Sequence, residues 1–451
     1  MIFGQINLDL RPQRQLAHQC RVASPAAAQD FFTLKGHGGP IMDIAVSPSG
    51  QIATASFDNS VGLWEGPQPQ WLDGHRAAVN AVTFWGKDAI LSGGDDFTLR
   101  LWRESDGKSQ EIGKHLGKIT DIAVSPDTHR IATASWDGTI GLWERVDTAQ
   151  SNNAGPSFTH QSLTGHAQGV NATVFSKDSG TLYSASVDGT IRVWDVASGQ
   201  EARLLVKHGF GVNRLILNEE DGWLAYGAVD GATRFIDPET GAQIADFTLE
   251  RRPILSLAYD ATQHQLAVGD GEGFIMVIDT KERRISRDFR ATRRGPIWAL
   301  AFSPDGNNIH AAGIEDILYS WPVATIDKHG QMAANTRSFL EDPKTLPNGE
   351  RQFKRKCSIC HALSDGSARK GGPTLYTLFG RKAGTVPDYA YSDILTGSEI
   401  IWSAETIDAL FDLGPDHFIP GSKMPMQRIT KQLDRNDLID YLRSATAPTE
   451  N

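Results

Sequence analysis

The chain contains 451 residues, of which 40% are apolar and 22% charged, so it is expected to fold and is neither a disordered nor a collagen-like chain. Its 44 basic and 54 acidic residues give a net charge of −10, which does not support nucleic-acid binding as the main activity. Three cysteines are too few for a disulfide-stapled fold, and no apolar run approaches the ~18 residues of a membrane helix. At ~150 residues per domain, the length predicts two or three domains.

Residues 1–29 contain half of an export signal. Ala26, Ala27 and Ala28 provide the small residues of a signal-peptidase site, but the upstream stretch 11–15 is polar where an apolar segment is needed. This leader has two interpretations. It is either the remnant of a signal peptide whose start codon is mis-assigned, or a disordered Ala-rich segment without a targeting function. Cys20, which lies in it, is assigned no role.

A repeat of about 40 residues occupies residues 30–323. In each unit, apolar runs of four to six residues, such as 41–46, are bounded by turn residues, such as those at 47–50, which predicts four short strands per unit. The insertion 151–156 is predicted to be a surface loop. The third strand of each unit ends at Trp64, Trp102, Trp143, Trp194, Ile236, Ile278 and Trp321.

With Gly-His early in several units and Trp194-Asp195 late in one, the repeat resembles the WD40 family. The resemblance implies an all-β, seven-bladed WD40 propeller over residues 30–323. The segment 31–34, before the first Gly-His, is expected to supply the outer strand of the last blade. It would close the ring between the two ends of the repeat region and so remove the exposed sheet edges.

An acidic residue precedes each strand end by six positions, and five units carry a His about twenty positions earlier. His166, Asp188 and Ser186 could be taken for a catalytic triad. The same set recurs as His37, Asp58 and Ser56 and as His115, Asp137 and Ser135, however, so we interpret it as the buried hydrogen-bond network of a WD repeat. The units ending at Ile236 and Ile278 are expected to be pinned less firmly. The acids are Asp58, Asp96, Asp137, Asp188, Asp230, Glu272 and Glu315; the histidines are His37, His75, His115, His166 and His208.

After the repeat, residues 324–346 are predicted to be a linker and residues 347–451 a helical domain. Apolar spacing of i, i+3, i+4 predicts helices over 349–360, 406–413 and 434–442. The domain contains Cys357-Ser358-Ile359-Cys360-His361, the attachment signature of a c-type haem. Two thiols three residues apart on a helical turn reach the two vinyl groups, and the following His comes under the iron as an axial ligand.

A cysteine pair of this spacing also occurs in two other kinds of site. A thioredoxin-like redox pair needs a preceding strand in a βαβ frame, which the sequence does not predict. A zinc site needs further Cys or clustered His, whereas the only other His of the segment is His417. A second iron ligand is expected from the Pro- and Gly-shaped loop 419–426. Met424 is assigned this role, and Met426 is interpreted as flexible core filler.

Residues 347–445 resemble the class I cytochromes c, which implies an all-α fold. The resemblance rests on Phe353, the 357–361 motif, Gly372-Pro373, the segments 379–384 and 389–393, Trp402, Pro420–Met424 and the segment 435–442. It implies thioethers at Cys357 and Cys360 and axial ligation of the iron by His361 and Met424. It also implies that the Pro373 carbonyl accepts the His361 Nδ1 proton, and that Arg381, Tyr391 and Trp402 hold a haem propionate. Leu410 and Leu395 depart from the family pattern, where Tyr and Asn are frequent.

An iron with both axial positions filled has no open site, so one covalently attached haem c predicts an electron carrier and not an enzyme. The propeller is expected to be a docking scaffold for a redox partner or to contact the cytochrome domain. Two alternatives stay open: an oxidoreductase with an active site in the propeller, and a haem-based redox or gas sensor. In the families that this sequence resembles, haem is attached to such a motif outside the bacterial cytoplasm. We therefore expect a periplasmic protein without a membrane span.

Overall fold

The computed structural model describes residues 30–87, 89–104, 107–146, 156–251, 253–328, 346–366, 369–387 and 389–448. The leader 1–29, most of the predicted loop 151–156 and most of the predicted linker lie outside these ranges. Of the linker, Val323–Lys328 forms a 3₁₀ helix that directly follows the last strand.

Within the described ranges, 28 strands form seven four-stranded antiparallel sheets, the blades of a seven-bladed propeller. Blade 1 is β2 (Ile41–Val46), β3 (Ile52–Ser56), β4 (Ser60–Trp64) and β5 (Pro69–Asp73); blade 2 is β6 (Val79–Phe84), β7 (Ala89–Gly94), β8 (Thr98–Arg103) and β9 (Ser109–Lys114); blade 3 is β10 (Ile119–Val124), β11 (Arg130–Ser135), β12 (Thr139–Val146) and β13 (Ser157–Thr164); blade 4 is β14 (Val170–Phe175), β15 (Thr181–Ser186), β16 (Thr190–Asp195) and β17 (Gln200–Lys207); blade 5 is β18 (Val212–Asn218), β19 (Trp223–Ala228), β20 (Thr233–Ile236) and β21 (Gln243–Asp246); blade 6 is β22 (Ile254–Asp260), β23 (Gln265–Asp270), β24 (Phe274–Asp279) and β25 (Arg284–Arg290); blade 7 is β26 (Ile297–Phe302), β27 (Asn308–Gly313), β28 (Ile317–Pro322) and β1 (Phe32–Lys35).

The two ends of the repeat region pair with each other in blade 7. Strand β1 runs antiparallel to β28, with Phe32 opposite Ser320 and Lys35 opposite Ile317. The predicted closure of the ring by the segment 31–34 is therefore confirmed. Apolar side chains of neighbouring blades pack together, as where Leu72 of blade 1 meets Trp102 of blade 2, so the core lies between the sheets.

A hydrogen-bond network pins each of the first four blades, but its hydroxyl differs from the one predicted. In blade 4, His166 binds Asp188 through Nδ1 (3.1 Å) and the Ser184 hydroxyl through Nε2 (2.7 Å), and Trp194 Nε1 donates to the same hydroxyl (2.8 Å). The predicted Ser186 lies two residues further along the strand, next to the turn. It donates to the Gly169 carbonyl instead (2.8 Å). Thr54 and Thr133 likewise replace the predicted Ser56 and Ser135 on His37 and His115.

Blades 5, 6 and 7 use other polar pairs. In blade 5, His208 binds Asp230 through Nε2 (3.0 Å). In blade 6, Arg251 donates to Asp270 (2.7 Å), so the predicted acid Glu272 was wrong by two positions. The Asp270 carboxylate also accepts the backbone N–H of Glu272, which fixes the turn that Glu272 was expected to fix. In blade 7, Glu315 accepts the hydroxyl of Tyr319 (3.0 Å).

The described residues of the C-terminal region form five helices, which include the three predicted ones, although the first ends at Lys356 and residues 357–360 form a turn. Among its described residues, Lys382 and Ile401 form an isolated antiparallel β-bridge. The first and last helices pack closely at Gly349, where an added Cβ would lie 2.0 Å from the Asp437 carbonyl oxygen. None of the helices in the described ranges has the length and apolar composition of a membrane crossing. The helices are α1 (Asn348–Lys356), α2 (Asp393–Thr396), α3 (Ala404–Leu413), α4 (Pro415–Phe418) and α5 (Gln432–Ala445).

Candidate functional site

The two cysteines lie on one turn that continues from the end of α1. The Cys357 N–H donates to the Phe353 carbonyl (2.8 Å), and the N–H groups of Cys360 and His361 both donate to the Cys357 carbonyl (3.0 and 2.9 Å). This turn holds the two thiols and the imidazole close together. Cys357 is buried, Cys360 is partly buried, and both are free thiols.

The loop after the cysteine turn fixes the orientation of the histidine ring. His361 Nδ1 donates to the Pro373 carbonyl oxygen at 2.8 Å, as the resemblance implied. Gly372 allows this approach, because an added Cβ would lie 2.4 Å from His361 Cε1. With the proton held on Nδ1, Nε2 is the nitrogen that can bind a metal.

A cavity of about 740 Å³ lies beside this turn. It is lined by aliphatic and aromatic side chains, among them Leu375, Leu378 and Phe411, together with a few polar groups. Its volume falls within the range of cofactor sites, which is roughly 300–1,000 Å³. The structure brings all eight predicted site residues to its wall: Cys357, Cys360, His361, Pro373, Arg381, Tyr391, Trp402 and Met424.

The two candidate methionines occupy different places. Met424 lines the cavity and packs against the helical core, whereas Met426 is 52% exposed, beside Gly414. Met426 is therefore not the core filler that the sequence predicted. Leu410 and Leu395, the two departures from the family pattern, also line the cavity. Their apolar side chains cannot donate a hydrogen bond to the Met424 sulfur.

Arg381 and Tyr391 have protein partners at the cavity. The Arg381 guanidinium donates to the carbonyl oxygens of Tyr376 (2.5 Å) and Thr374 (2.7 Å), and the Tyr391 hydroxyl accepts the Val386 N–H (3.3 Å). Sequence reasoning gave no separate role to Tyr389, whose hydroxyl donates to the Gly371 carbonyl (2.7 Å). These contacts hold the polar end of the cavity in place.

Burial sets the protonation of the key groups. It raises the pKa of the Cys357 thiol to about 12 and that of Cys360 to about 11, so both thiols are protonated at neutral pH. Burial also lowers the pKa of His361, although the hydrogen bond to Pro373 favours its protonated form. A neutral imidazole with a bound Nδ1 proton is the form of histidine that coordinates iron.

Sequence reasoning missed part of the cavity wall, because that part belongs to the propeller. Phe97 of blade 2 and Lys118 and Trp136 of blade 3 line the same cavity as the cysteine turn. Phe97 is 40% and Trp136 53% exposed, unusual values for large apolar side chains. Lys118 Nζ lies 3.6 Å from the centroid of the Trp136 indole ring. The repeat pattern carries no signal for these positions, because they lie outside the features that recur from blade to blade.

The residues of the cavity fit a c-type haem. Two thiols, one oriented imidazole and one thioether form the donor set of that group, and the surrounding leucines exclude water. His417 does not contribute, because it is paired with Asp416 outside the cavity. In the part of the chain that the structure describes, no three His, Cys, Asp or Glu side chains are grouped so that they could hold a metal ion.

The fold and the site together define a propeller protein with a small helical domain built around a cysteine-pair cavity. Residues 29–65, 66–103, 108–144 and 158–195 match the WD domain, G-beta repeat, and residues 346–446 match the cytochrome c family. Through this C-terminal domain the chain belongs to the cytochrome c family, whose members carry a covalently bound haem and transfer electrons.

Three relatives illustrate the similarity of the C-terminal domain. The cytochrome c of Sesamum indicum is 43% identical over 107 residues, which are 23% of this chain and 94% of that protein. The cytochrome c of Ginkgo biloba is 41% identical over 111 residues, which are 24% of this chain and 97% of that protein. The cytochrome c of Theileria parva is 42% identical over 99 residues, which are 22% of this chain and 84% of that protein. The similarity to these proteins thus covers nearly their full length.

Proposed function

We propose that this protein is a single-haem electron carrier whose class I cytochrome c domain transfers one electron at a time, with the propeller as a docking scaffold. One observation carries the proposal: His361 and Met424 line the same cavity as Cys357 and Cys360. When bound, the haem supplies a one-electron redox couple. Cys357 and Cys360 would hold it by thioethers, and His361 and Met424 would be the axial ligands.

The protein's own residues would control the site. The Pro373 carbonyl holds the His361 proton on Nδ1 and so keeps Nε2 as the ligand atom. The Leu410 and Leu395 side chains line the same cavity as Met424 and offer its sulfur no hydrogen-bond donor. Arg381, Tyr391 and Trp402 line the same cavity, and Arg381, as the cation of the three, would bind the propionate end of the haem.

We also propose that the protein acts in a bacterial periplasm. Two sequence features support this location. Ala26 to Ala28 resemble a signal-peptidase site, and the 357–361 motif is of the kind to which haem is attached outside the bacterial cytoplasm. Expression with a cleavable export signal, compared with expression of the same chain without one, would test the location: haem attachment only in the exported form is expected.

The axial ligand is tested by substituting each methionine. Met424→Ala should lower the reduction potential and make the reduced protein bind carbon monoxide, because the iron loses its sixth ligand. Met426→Ala is the matched control, two residues away and largely exposed, and should leave the spectrum unchanged. The measurements are the visible spectrum, the potential and the carbon monoxide difference spectrum of the full chain. An unchanged spectrum in Met424→Ala would contradict the assignment of Met424.

A haem-based sensor is the second candidate. It is favoured by Leu410 and Leu395, because a Met424 sulfur without a hydrogen-bond donor is held less firmly and is more easily displaced by a gas. The wild-type protein distinguishes the two functions. An electron carrier resists carbon monoxide in the reduced state, whereas a sensor binds it readily at neutral pH.

A further inference from the structure

Gly38 of blade 1 occupies a position at which other blades carry a side chain. The residue after the repeat histidine donates its N–H to the aspartate of the same blade in each of the first four blades, at 2.8–2.9 Å. In blades 2, 3 and 4 this residue is Arg76, Leu116 and Ala167, and all three are exposed. The blade itself therefore does not require a glycine at this position.

The cytochrome domain explains the glycine. An added Cβ at Gly38 would lie 1.2 Å from the carbonyl oxygen of Arg369, so only glycine permits this approach of the two backbones. Gly38 is buried, in contrast to its three counterparts. Nearby, the Asn59 side-chain amide donates to the Gly371 carbonyl (3.3 Å). Residues 369–371 thus lie directly on the face of blade 1.

The Arg369 side chain makes the polar part of this contact. Its guanidinium lies 5.0 Å from the Trp71 ring centroid, hydrogen-bonds to Asp73, and places Nε 3.7 Å from Asp58 Oδ2. Asp58 is the acid of the blade 1 network, which also accepts the His37 Nδ1 proton (2.9 Å). The cation of the cytochrome domain therefore meets two carboxylates and an aromatic face of the propeller.

The contact extends along the open side of the cysteine-pair cavity. Phe57 of blade 1, Phe97 of blade 2 and Trp136 of blade 3 line that cavity together with Cys357 and Cys360. A second cavity, of about 820 Å³, lies between the same two faces, and Asp73, Arg369 and Lys423 line it. The propeller thus contributes residues to the walls of both cavities.

We propose that the face of blades 1–3 is a docking surface for the cytochrome domain of the same chain, locked by Arg369. In the docked state it covers the cavity edge beside Cys357 and Cys360. An external redox protein then reaches that edge only after the Arg369 contact opens. That the cavity holds a haem rests on the proposed function, whereas the docking itself rests on the contacts of Gly38 and Arg369.

The docking is tested on the full-length, haem-loaded chain with a lysine-reactive cross-linker. Lys118 of blade 3 and Lys356 of α1 line the same cavity, so the wild type should give a Lys118–Lys356 cross-link, identified by mass spectrometry. Gly38→Val should reduce its yield at least ~10-fold, because the side chain forces residues 369–371 away. Ala167→Val is the matched control at the same position of blade 4, and it should leave the yield unchanged.

A second variant guards against a folding defect of Gly38→Val. Arg369→Gln removes the cation from the cytochrome side and leaves the propeller sequence intact, and it should lower the cross-link yield several-fold. In the wild type, raising the salt from ~0.02 M to ~1 M should have the same effect, because it screens the ion pairs. In both variants, amide hydrogen exchange of the segment 369–376 should become faster.

An equal cross-link yield in the wild type, Gly38→Val and Arg369→Gln would overturn the proposal, as would an equal loss in Ala167→Val. Haem content and the visible spectrum are measured on the same samples. A preparation without covalent haem that still gives the cross-link would contradict the proposed function and leave the docking intact. A normal haem spectrum without the cross-link would contradict the docking alone.

Discussion

Removal of His166 tests whether the repeated His, Asp and hydroxyl set is structural. In His166→Ala, the hydrogen bonds to Asp188 (3.1 Å) and Ser184 (2.7 Å) are lost. Asp188 keeps three donors, the N–H groups of Ala167 and Thr190 and the Thr190 hydroxyl, so it is not left without partners. The loss of these two hydrogen bonds, together with the void left by the imidazole ring, predicts a decrease of about 2–4 kcal/mol in the free energy of unfolding.

The assay follows denaturant unfolding of the full chain with two probes, because two domains can unfold separately. Tryptophan fluorescence reports mainly the propeller, and haem absorbance reports the cytochrome domain. His129→Ala, at an exposed histidine of blade 3, is the control and should change stability by less than about 0.5 kcal/mol. A similarly small change in His166→Ala, or loss of electron transfer with an intact propeller transition, would refute the structural interpretation of the network.

Three further predictions concern the pH dependence and the cavity. Burial lowers the pKa of His166 despite the attraction of Asp188, so the unfolded chain binds more protons than the folded one. The propeller should therefore lose stability as the pH falls below ~6.5, and His166→Ala should weaken this dependence of the unfolding free energy on pH. Burial raises the pKa of Asp43 to about 7 against the opposing charge of Arg214, so its titration should lower stability by at most about 4 kcal/mol as the pH rises from ~4 to ~7. In urea titrations Asp43→Asn should reduce this dependence without abolishing it, because burial also raises the pKa of the neighbouring Asp121. Gly372→Ala should abolish or displace His361 ligation, because its Cβ would lie 2.4 Å from the ring, whereas Gly397→Ala, with its nearest neighbour at 3.8 Å, should attach haem normally; equal haem spectra would contradict the orienting role of Gly372.

The architecture was accessible from the sequence because its signals are local and repeated. The spacing of Trp64, Trp102, Trp143 and Trp194 marks the third strand of the first four blades, and each of these indoles donates to a hydroxyl ten residues earlier. The closing strand at 31–34 was also predictable. In a closed ring the last blade receives its outer strand from the beginning of the repeat region.

The errors came from choices between residues two positions apart. Ser184 and Ser186 share one face of β15, because side chains alternate along a strand, and the sequence cannot show which of them meets the histidine. The same ambiguity separates Asp270 from Glu272. Only the three-dimensional turn, which brings Asp270 to Arg251, decides between the two acids.

The propeller side of the cavity lay beyond sequence reasoning for a different reason. Arg369 contacts Asp58 and Asp73 across roughly 300 residues of sequence, and no periodicity connects residues in different domains. One signal was nevertheless present. Gly38 stands where neighbouring repeats carry Arg76, Leu116 and Ala167, and a glycine that a repeat does not require indicates a close external contact.

The pairing of β1 with β28 has a consequence for the order of folding. Strand β1 is synthesised first among the strands, and its partner β28 is synthesised last. Blade 7 therefore cannot be completed until nearly the whole repeat region exists, and its closure carries the loop entropy of that entire length. Helix α1 of the cysteine-pair domain begins at Asn348, 26 residues after the end of β28, so this domain is synthesised only after both strands of the closing pair exist.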